Sequence, residues 1–309
     1  MSVVIVFQQM LVLFGMIAMG YIAYKKKLIE ERGIKSISAV IVTVLNPFLV
    51  ISSVLNKKIE FSGEVIKQNA VMVAALYLIL IVVSIIFAKA ARLSKEDSGS
   101  YRLMMTFPNL GFMGIPLVSN IYGPEAVILV AFYMLGYNLL VYSYGIYVAN
   151  TERDGGSAGV PIRKMMNPGM LSCIIAILIF AFDIHLPVPA ESFADYVGNA
   201  AIPLSMMMVG VGLAKIKLRT ALTDMKLLAM VVVKLLLVPI AAILLLKNSG
   251  VDKTVFGVFG LLLSTPVGSI VTLVEMEYGR EDNSLCAKGI ALTTLLSMVT
   301  IPIATFFVS

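Results

Sequence analysis

Residues 70–88, AVMVAALYLILIVVSIIFA, run without a single charged side chain. About 20 residues at 1.5 Å each cross the ~30 Å hydrocarbon core of a bilayer, so such a run reads as a membrane helix. The pattern recurs: residues 5–24 are uncharged, 124–149 carry only Glu125, and 285–309 carry only Lys288. None of these blocks alternates apolar with polar residues, which excludes a membrane β-barrel and leaves a helical bundle. Composition agrees, with 59% hydrophobic and 14% charged residues, against about 45–50% and about 25% in soluble chains.

Ten spans are expected, near 5–24, 34–55, 68–89, 101–121, 125–148, 168–184, 197–214, 225–246, 254–274 and 286–308. The longest polar stretch, 150–166, divides the chain into halves at 1–149 and 167–309 and reads as a cytoplasmic linker. The N-terminus lacks a basic region ahead of its apolar run, so the first block reads as a span and not as a cleaved signal. Basic residues then set the orientation. With the N-terminus outside, the inside loops hold Lys25, Lys26, Lys27, Arg32 and Lys35, then Lys89, Arg92, Lys95 and Arg102. Further inside loops hold Arg153, Arg163 and Lys164, then Lys215, Lys217, Arg219 and Lys226, and finally Arg280 and Lys288. The outside loops hold only Lys57, Lys58, Lys67, Lys247 and Lys253. This bias places both termini outside a cell (inner or plasma) membrane. It also accounts for the net charge of +6 without a nucleic-acid partner. Cys173 and Cys286 fall in or beside apolar spans and read as packing thiols.

Five spans per half make the second half enter the membrane in the opposite sense, an inverted repeat if the halves are homologous. Span 4 reads TFPNLGFMGIPLVSNIYG and span 9 STPVGSIVTLVEMEYG, each with an early Pro and a closing Tyr-Gly. Pro47 in span 2 is matched by Pro203 in span 7. Pro108, Gly111, Gly114 and Pro116 crowd one span, where proline removes a backbone donor and clashes with the preceding turn. Span 4 is therefore expected to break near Pro108 to Gly114, and span 9 near Thr265 to Ser269. Broken backbone at membrane depth is tolerated only inside protein or beside a water-filled cavity. There, half-helix ends offer free N–H groups and positive dipole ends to an anion. Asn109, Thr265 and Ser269 add side-chain donors and acceptors beside Pro108, Pro266 and Gly268.

The string PNLGFMGIPL, the proline-centred spans 2, 7 and 9, and the Asn167-Pro168-Gly169 opening of span 6 resemble the auxin efflux carrier family. That family includes plant PIN-FORMED auxin exporters and bacterial permeases for malate, malonate and related acids. The resemblance covers the whole chain, which lacks the long cytoplasmic loop of many plant members. It implies two inverted five-helix repeats, with spans 1, 2, 6 and 7 as a scaffold. Spans 3–5 and 8–10 would form a mobile transport domain with spans 4 and 9 crossing at their breaks, as in bile-acid symporters and sodium/proton antiporters. It also implies a substrate carboxylate near Asn109, elevator-type alternating access, and a homodimer through spans 2 and 7.

Other polar residues sit inside apolar spans. Lys234, in MVVVKLLLVP, costs ~2.5–3.5 kcal/mol at the membrane centre. It either attracts an anionic substrate, acts as a proton-linked switch, or binds carbonyls of a broken neighbour. Asn138 in span 5 either lines the site or ties helices together. Gln8, Gln9 and Asn46 are similar polar intrusions. Glu275 and Glu277 close span 9; they either serve a coupling ion or, being near a loop, are solvated. His185 reads as interfacial, and Met206, Met207 and Met208 as adaptable packing. No cluster with metal-ligand spacing, phosphate loop or nucleophile–base pair is visible, which speaks against an enzyme or a primary pump.

The expected protein is a secondary or facilitated transporter of small organic anions, such as malate, malonate or auxin-like acids. It would need no cofactor beyond a coupling proton or sodium ion. The alternative is a sodium- or proton-coupled transporter or exchanger of another small solute or cation on the same fold. A cation exchanger needs mid-membrane carboxylates, and all 18 Asp and Glu residues fall in loops or near span ends.

Overall fold

A computed structural model describes residues 3–55, 61–150, 166–216, 221–278 and 284–308. The expected linker lies almost wholly outside these residues. So do Lys57, Lys58, Arg153, Arg163, Lys164, Lys217, Arg219 and Arg280, and the side chain of Glu277.

The described chain is helical throughout. Its α-helices are α1 (Val3–Lys25), α2 (Glu31–Val40), α3 (Asn46–Ser52), α4 (Gly63–Ala90), α5 (Lys95–Thr106), α6 (Ile115–Tyr122), α7 (Val127–Leu140) and α8 (Ile146–Asn150). They continue with α9 (Pro168–Ala181), α10 (Val188–Asn199), α11 (Ala201–Lys215), α12 (Met225–Val232), α13 (Val238–Leu246), α14 (Lys253–Leu263), α15 (Ile270–Tyr278) and α16 (Ser284–Phe306). Helix occupies each of the ten apolar blocks. Among the described residues, seven helical stretches are long and apolar enough to cross a membrane, and Leu110–Tyr122, Pro168–Ala181 and Lys253–Leu263 are shorter apolar helices. Two of these short pieces belong to blocks 4 and 9, where proline and glycine divide the helix.

Wide π turns join several helices. Ile41–Leu45 leads into Pro47, Leu110–Gly114 into Pro116, and Val233–Leu237 into Pro239. Proline has no N–H and its ring crowds the carbonyl one turn back. Widening that turn by one residue removes the crowding without ending the helix.

Burial follows lipid logic. On α4, Met72, Leu76, Leu80 and Phe87 point inward. Val71, Leu78, Val82 and Ile86 of the same helix are exposed. A helix apolar on every side suits a rod with protein on one face and hydrocarbon on the other. α1 packs along α11 more extensively than any other pair of elements. The approach is set by small residues: a β-carbon on Gly20 would overlap the Met207 carbonyl oxygen, and one on Gly210 the Ile17 carbonyl oxygen. α3 rests on α9 and α10, α4 packs on α5, α7 and α14, and α16 touches α1, α5, α12 and α14.

Candidate substrate site

Blocks 4 and 9 each break at their proline. α5 ends at Thr106, and Phe107 takes extended backbone before Asn109 caps the π turn that begins at Leu110. α14 ends at Leu263, and helix resumes at Ile270. The two extended segments cross antiparallel, paired at Pro108 and Val267. Asn109 N–H donates to the Pro266 carbonyl at 2.8 Å, and Gly268 N–H donates to the Phe107 carbonyl at 2.9 Å. Each break thus satisfies backbone groups that its own helix has abandoned, as burial requires. A third orphan, Val267 N–H, donates to Thr293 Oγ1 of α16 at 3.1 Å.

Glycine at 268 is enforced by this approach. A β-carbon there would lie 2.8 Å from Tyr137 Oη and 2.9 Å from the Pro108 carbonyl oxygen. The crossing also joins two packed cores. Leu110, Met113, Leu262 and Leu263 belong to the larger, and Phe107 and Val267 to the smaller.

A cavity of ≈ 400 Å³ adjoins the crossing. Asn109, Phe112, Ser269 and Thr272 line it from the two broken blocks, Ile34 and Ser38 from α2, Met208 and Lys215 from α11, and Ala291 and Thr294 from α16. Asn109 is 4% exposed. Its Oδ1 accepts Phe112 N–H at 3.2 Å and caps the second half-helix. With Oδ1 engaged by the backbone, the Nδ2 donor is the part of the side chain best placed to meet an anionic ligand. Lys215 is the single ionisable residue among the described lining. Its Nζ donates to Glu31 Oε2 at 2.7 Å, and Tyr24 Oη donates to Glu31 Oε1 at 2.8 Å. This exposed trio joins the ends of α1 and α11 to the start of α2 beside the cavity.

The structure gathers some of the expected site residues and separates others. Asn109 and Ser269 line the cavity. Pro108, Pro266 and Gly268 build the crossing under it. Thr265 turns away, its Oγ1 donating to the Leu262 carbonyl at 2.7 Å. Gly111 faces Asn46 of α3. Asn138 donates to the Met134 carbonyl and accepts from Asn167 Nδ2, both at 2.8 Å, which ties α7 to the start of α9. Lys234 is fully buried away from the cavity, and its Nζ donates to the Met105 carbonyl at 3.0 Å. That carbonyl lies in the last turn of α5, where a cation offsets the negative helix end.

Glu275 corrects the expectation of a solvated carboxylate. It is 0% exposed and accepts a hydrogen bond from Ser100 Oγ, while its Oε2 has no partner among the described residues. α15 continues past the last turn expected of span 9 and packs against α5, α8 and α16, so Glu275 is enclosed by neighbours. Among the described residues, no group of three or more His, Cys, Asp or Glu could hold a metal. Met206 is buried, and Met208 lines the cavity.

Ser38, Phe112, Met208, Thr272, Thr294 and Lys215 were not foreseen as lining. In sequence, single hydroxyls in apolar helices are indistinguishable from those that bond their own backbone. Lys215 looked like one of several topology-setting charges.

The described chain is all-helical and rich in membrane-length apolar helices, and two broken blocks cross beside a largely apolar cavity with a few polar groups, an arrangement suited to a membrane transporter. The chain belongs to the auxin efflux carrier family: the model described as "Membrane transport protein" matches residues 5–159 and 156–305. It is similar to an "Uncharacterized transporter" of Methanothermobacter thermautotrophicus, 22% identical over 295 residues, covering 93% of each chain. It is similar to a second "Uncharacterized transporter", from Methanocaldococcus jannaschii, 21% identical over 299 residues, covering 94% of this chain and 95% of the relative. It is also similar to a Rhizobium meliloti protein named "Putative malonate transporter", 24% identical over 301 residues, covering 93% of this chain and 91% of that one.

Proposed function

We propose that this protein carries small organic anions, of the mono- or dicarboxylate class, across the membrane by secondary or facilitated transport. The observation that carries this reading is the ≈ 400 Å³ cavity at the crossing, whose described lining has one ionisable residue, the cation Lys215. An anion there meets the Asn109 amide donor and the start of the half-helix that Asn109 caps. The name of the Rhizobium relative points to the same class of solute. Malonate, malate and auxin-like acids are the candidates.

In this reading the ten helical blocks are ten spans in two inverted repeats of five, with both termini outside. Blocks 1, 2, 6 and 7 form a scaffold that pairs in a homodimer through blocks 2 and 7. Blocks 3–5 and 8–10 move against it as an elevator and expose the crossing to each side in turn. The tight Gly20 and Gly210 contacts between α1 and α11 support a scaffold that moves as one piece.

The test is uptake of radiolabelled malonate, malate and indole-3-acetate by proteoliposomes, with a thermal-shift screen of the same acids in detergent. Saturable uptake with a matching rise in melting temperature is expected for at least one acid. No uptake and no shift in folded protein would sink the reading.

Buried Glu275, with one oxygen unpartnered, favours coupling to a proton or sodium ion. Glu275→Gln is then expected to abolish stimulation of uptake by an imposed pH or sodium gradient, while uptake without a gradient persists. Unchanged stimulation would remove Glu275 from the coupling.

A further inference from the structure

Asn46 is 7% exposed in the middle of the second apolar block. It follows the π turn Ile41–Leu45 and precedes Pro47. The other amides near the membrane interior have work to do in the fold. Asn69 Nδ2 donates to the Leu129 carbonyl at 3.1 Å, Asn109 accepts Phe112 N–H, and Asn138 and Asn167 bond each other. Among the described residues Asn46 Oδ1, like Asn69 Oδ1, has no hydrogen-bond partner, and no bond from Asn46 to the fold offsets it. A buried polar group left unpaired asks for an explanation, and packing alone would be served better by leucine.

Its surroundings suggest one. Asn46 Nδ2 lies 3.7 Å from where a β-carbon on Gly111 would sit, so the amide faces the first break across a gap that glycine leaves open. A second cavity of ≈ 120 Å³ is lined by Ser52 and Ser53 at the end of the same helical block, by Ser119 of α6, and by Asp195 and Asn199 of α10. Ser38 of α2 lines the large cavity. Following the helical rod from α2 to α3, the order is large cavity, Asn46, small cavity. Along block 4, Asn109 and Phe112 line the large cavity on either side of Gly111, and Ser119 lines the small one. Asn46 thus follows the large-cavity residues of its own rod, precedes the small-cavity ones, and faces Gly111 at the large cavity's edge.

We propose that Asn46 contacts the solute as it passes between these cavities and sets part of the specificity. An amide presents a donor and an acceptor side by side. A carboxylate alone can satisfy only the donor. An acid that also carries a hydroxyl satisfies both, so Asn46 favours hydroxy acids over their unsubstituted counterparts. This proposal rests on the carboxylate-carrier reading above.

The test compares proteoliposome uptake of L-malate with succinate, and of lactate with propionate, pairs that differ by one hydroxyl. The wild-type protein is expected to favour the hydroxylated member of a transported pair by about tenfold in kcat/KM, the worth of one good hydrogen bond. Asn46→Leu should erase that preference, the larger loss falling on the hydroxylated member of the pair. Asn109→Ala should depress both members alike. Melting temperatures in detergent check folding, and Asn46→Ala carries the same comparison if Asn46→Leu does not fold. An unchanged preference in a folded Asn46 variant, or no preference in wild type, overturns the proposal and leaves the carboxylate reading intact. Uptake of none of the four acids by folded wild-type protein overturns the proposal and removes its foundation as well.

Discussion

The two breaks use one backbone device with opposite side-chain chemistry. In the first, the residue after the proline is Asn109, which lines the cavity and caps the half-helix beyond it. In the second, it is Val267, fully buried, with its N–H held by Thr293. Glycine differs in the same way. Gly111 has a single neighbour within reach of an added β-carbon, at 3.7 Å, whereas Gly268 is pressed against Tyr137 and the Pro108 backbone. Matched prolines build the crossing from both sides, but the residue after the first lines the cavity while the residue after the second is packed in the core. Sequence symmetry therefore locates the site without assigning its chemistry, which resides in the residue that follows each proline.

The sharpest way to break this comparison is to swap burdens between the glycines. Gly268→Val should cost about 3 kcal/mol or more, because the clashing partner is backbone and cannot yield. It is expected to lower the melting temperature and the yield of monodisperse protein severely. Gly111→Ala should leave the melting temperature near wild type. Equal tolerance at both positions would mean that the second break is not the tighter one.

Next in size are substitutions that separate binding from support. Asn109→Ala removes a helix cap, worth about 1 kcal/mol, and should lower affinity for a transported carboxylate at least tenfold. Thr293→Val leaves the Val267 N–H buried and unpaired, a loss of about 1–3 kcal/mol, and should leave affinity in place. Titration by thermal shift reads both quantities in one experiment. Loss of affinity in Thr293→Val with full stability would reverse the roles assigned to the two breaks.

How far the sequence revealed this arrangement depends on how strong each local signal is. The apolar blocks were plain, because hydropathy over 20 residues is a collective signal. The breaks were equally plain, since Pro108, Gly111, Gly114 and Pro116 in one span leave ordinary helix no place. The pairing of Pro108 with Val267 was not visible, because it depends on where two distant blocks cross. Lys234 was read with two functional alternatives beside a structural one, and its bond to the Met105 carbonyl is of the structural kind. Of the two readings the sequence leaves for Glu275, burial removes the solvated one, because distance from a span end measures depth poorly when neighbouring helices enclose the residue. Asn46 reads in sequence only as a polar intrusion; that its buried amide oxygen lacks a partner among the described residues is a property of packing alone.

The smallest expected effect tests whether the electrostatic side of the comparison reaches beyond the crossing. Lys215 lines the cavity but stands at its edge, 41% exposed at the side chain and bonded to Glu31. Exposed ion pairs are weak because solvent screens them. A positive charge at the cavity edge should therefore aid the entry of an anion without fixing its position. Lys215→Gln is expected to weaken carboxylate affinity by about two- to fivefold at low salt. Glu31→Gln should do the reverse, since it frees the ammonium group for the solute. Both shifts should shrink as ionic strength rises toward 1 M, where the screening length falls to about 3 Å. The Asn109→Ala loss should not, because a buried amide acts through a hydrogen bond at contact. A salt-independent effect of Lys215→Gln as large as that of Asn109→Ala would move the cation into the binding site itself, and the site would then include the end of α11 as well as the two breaks.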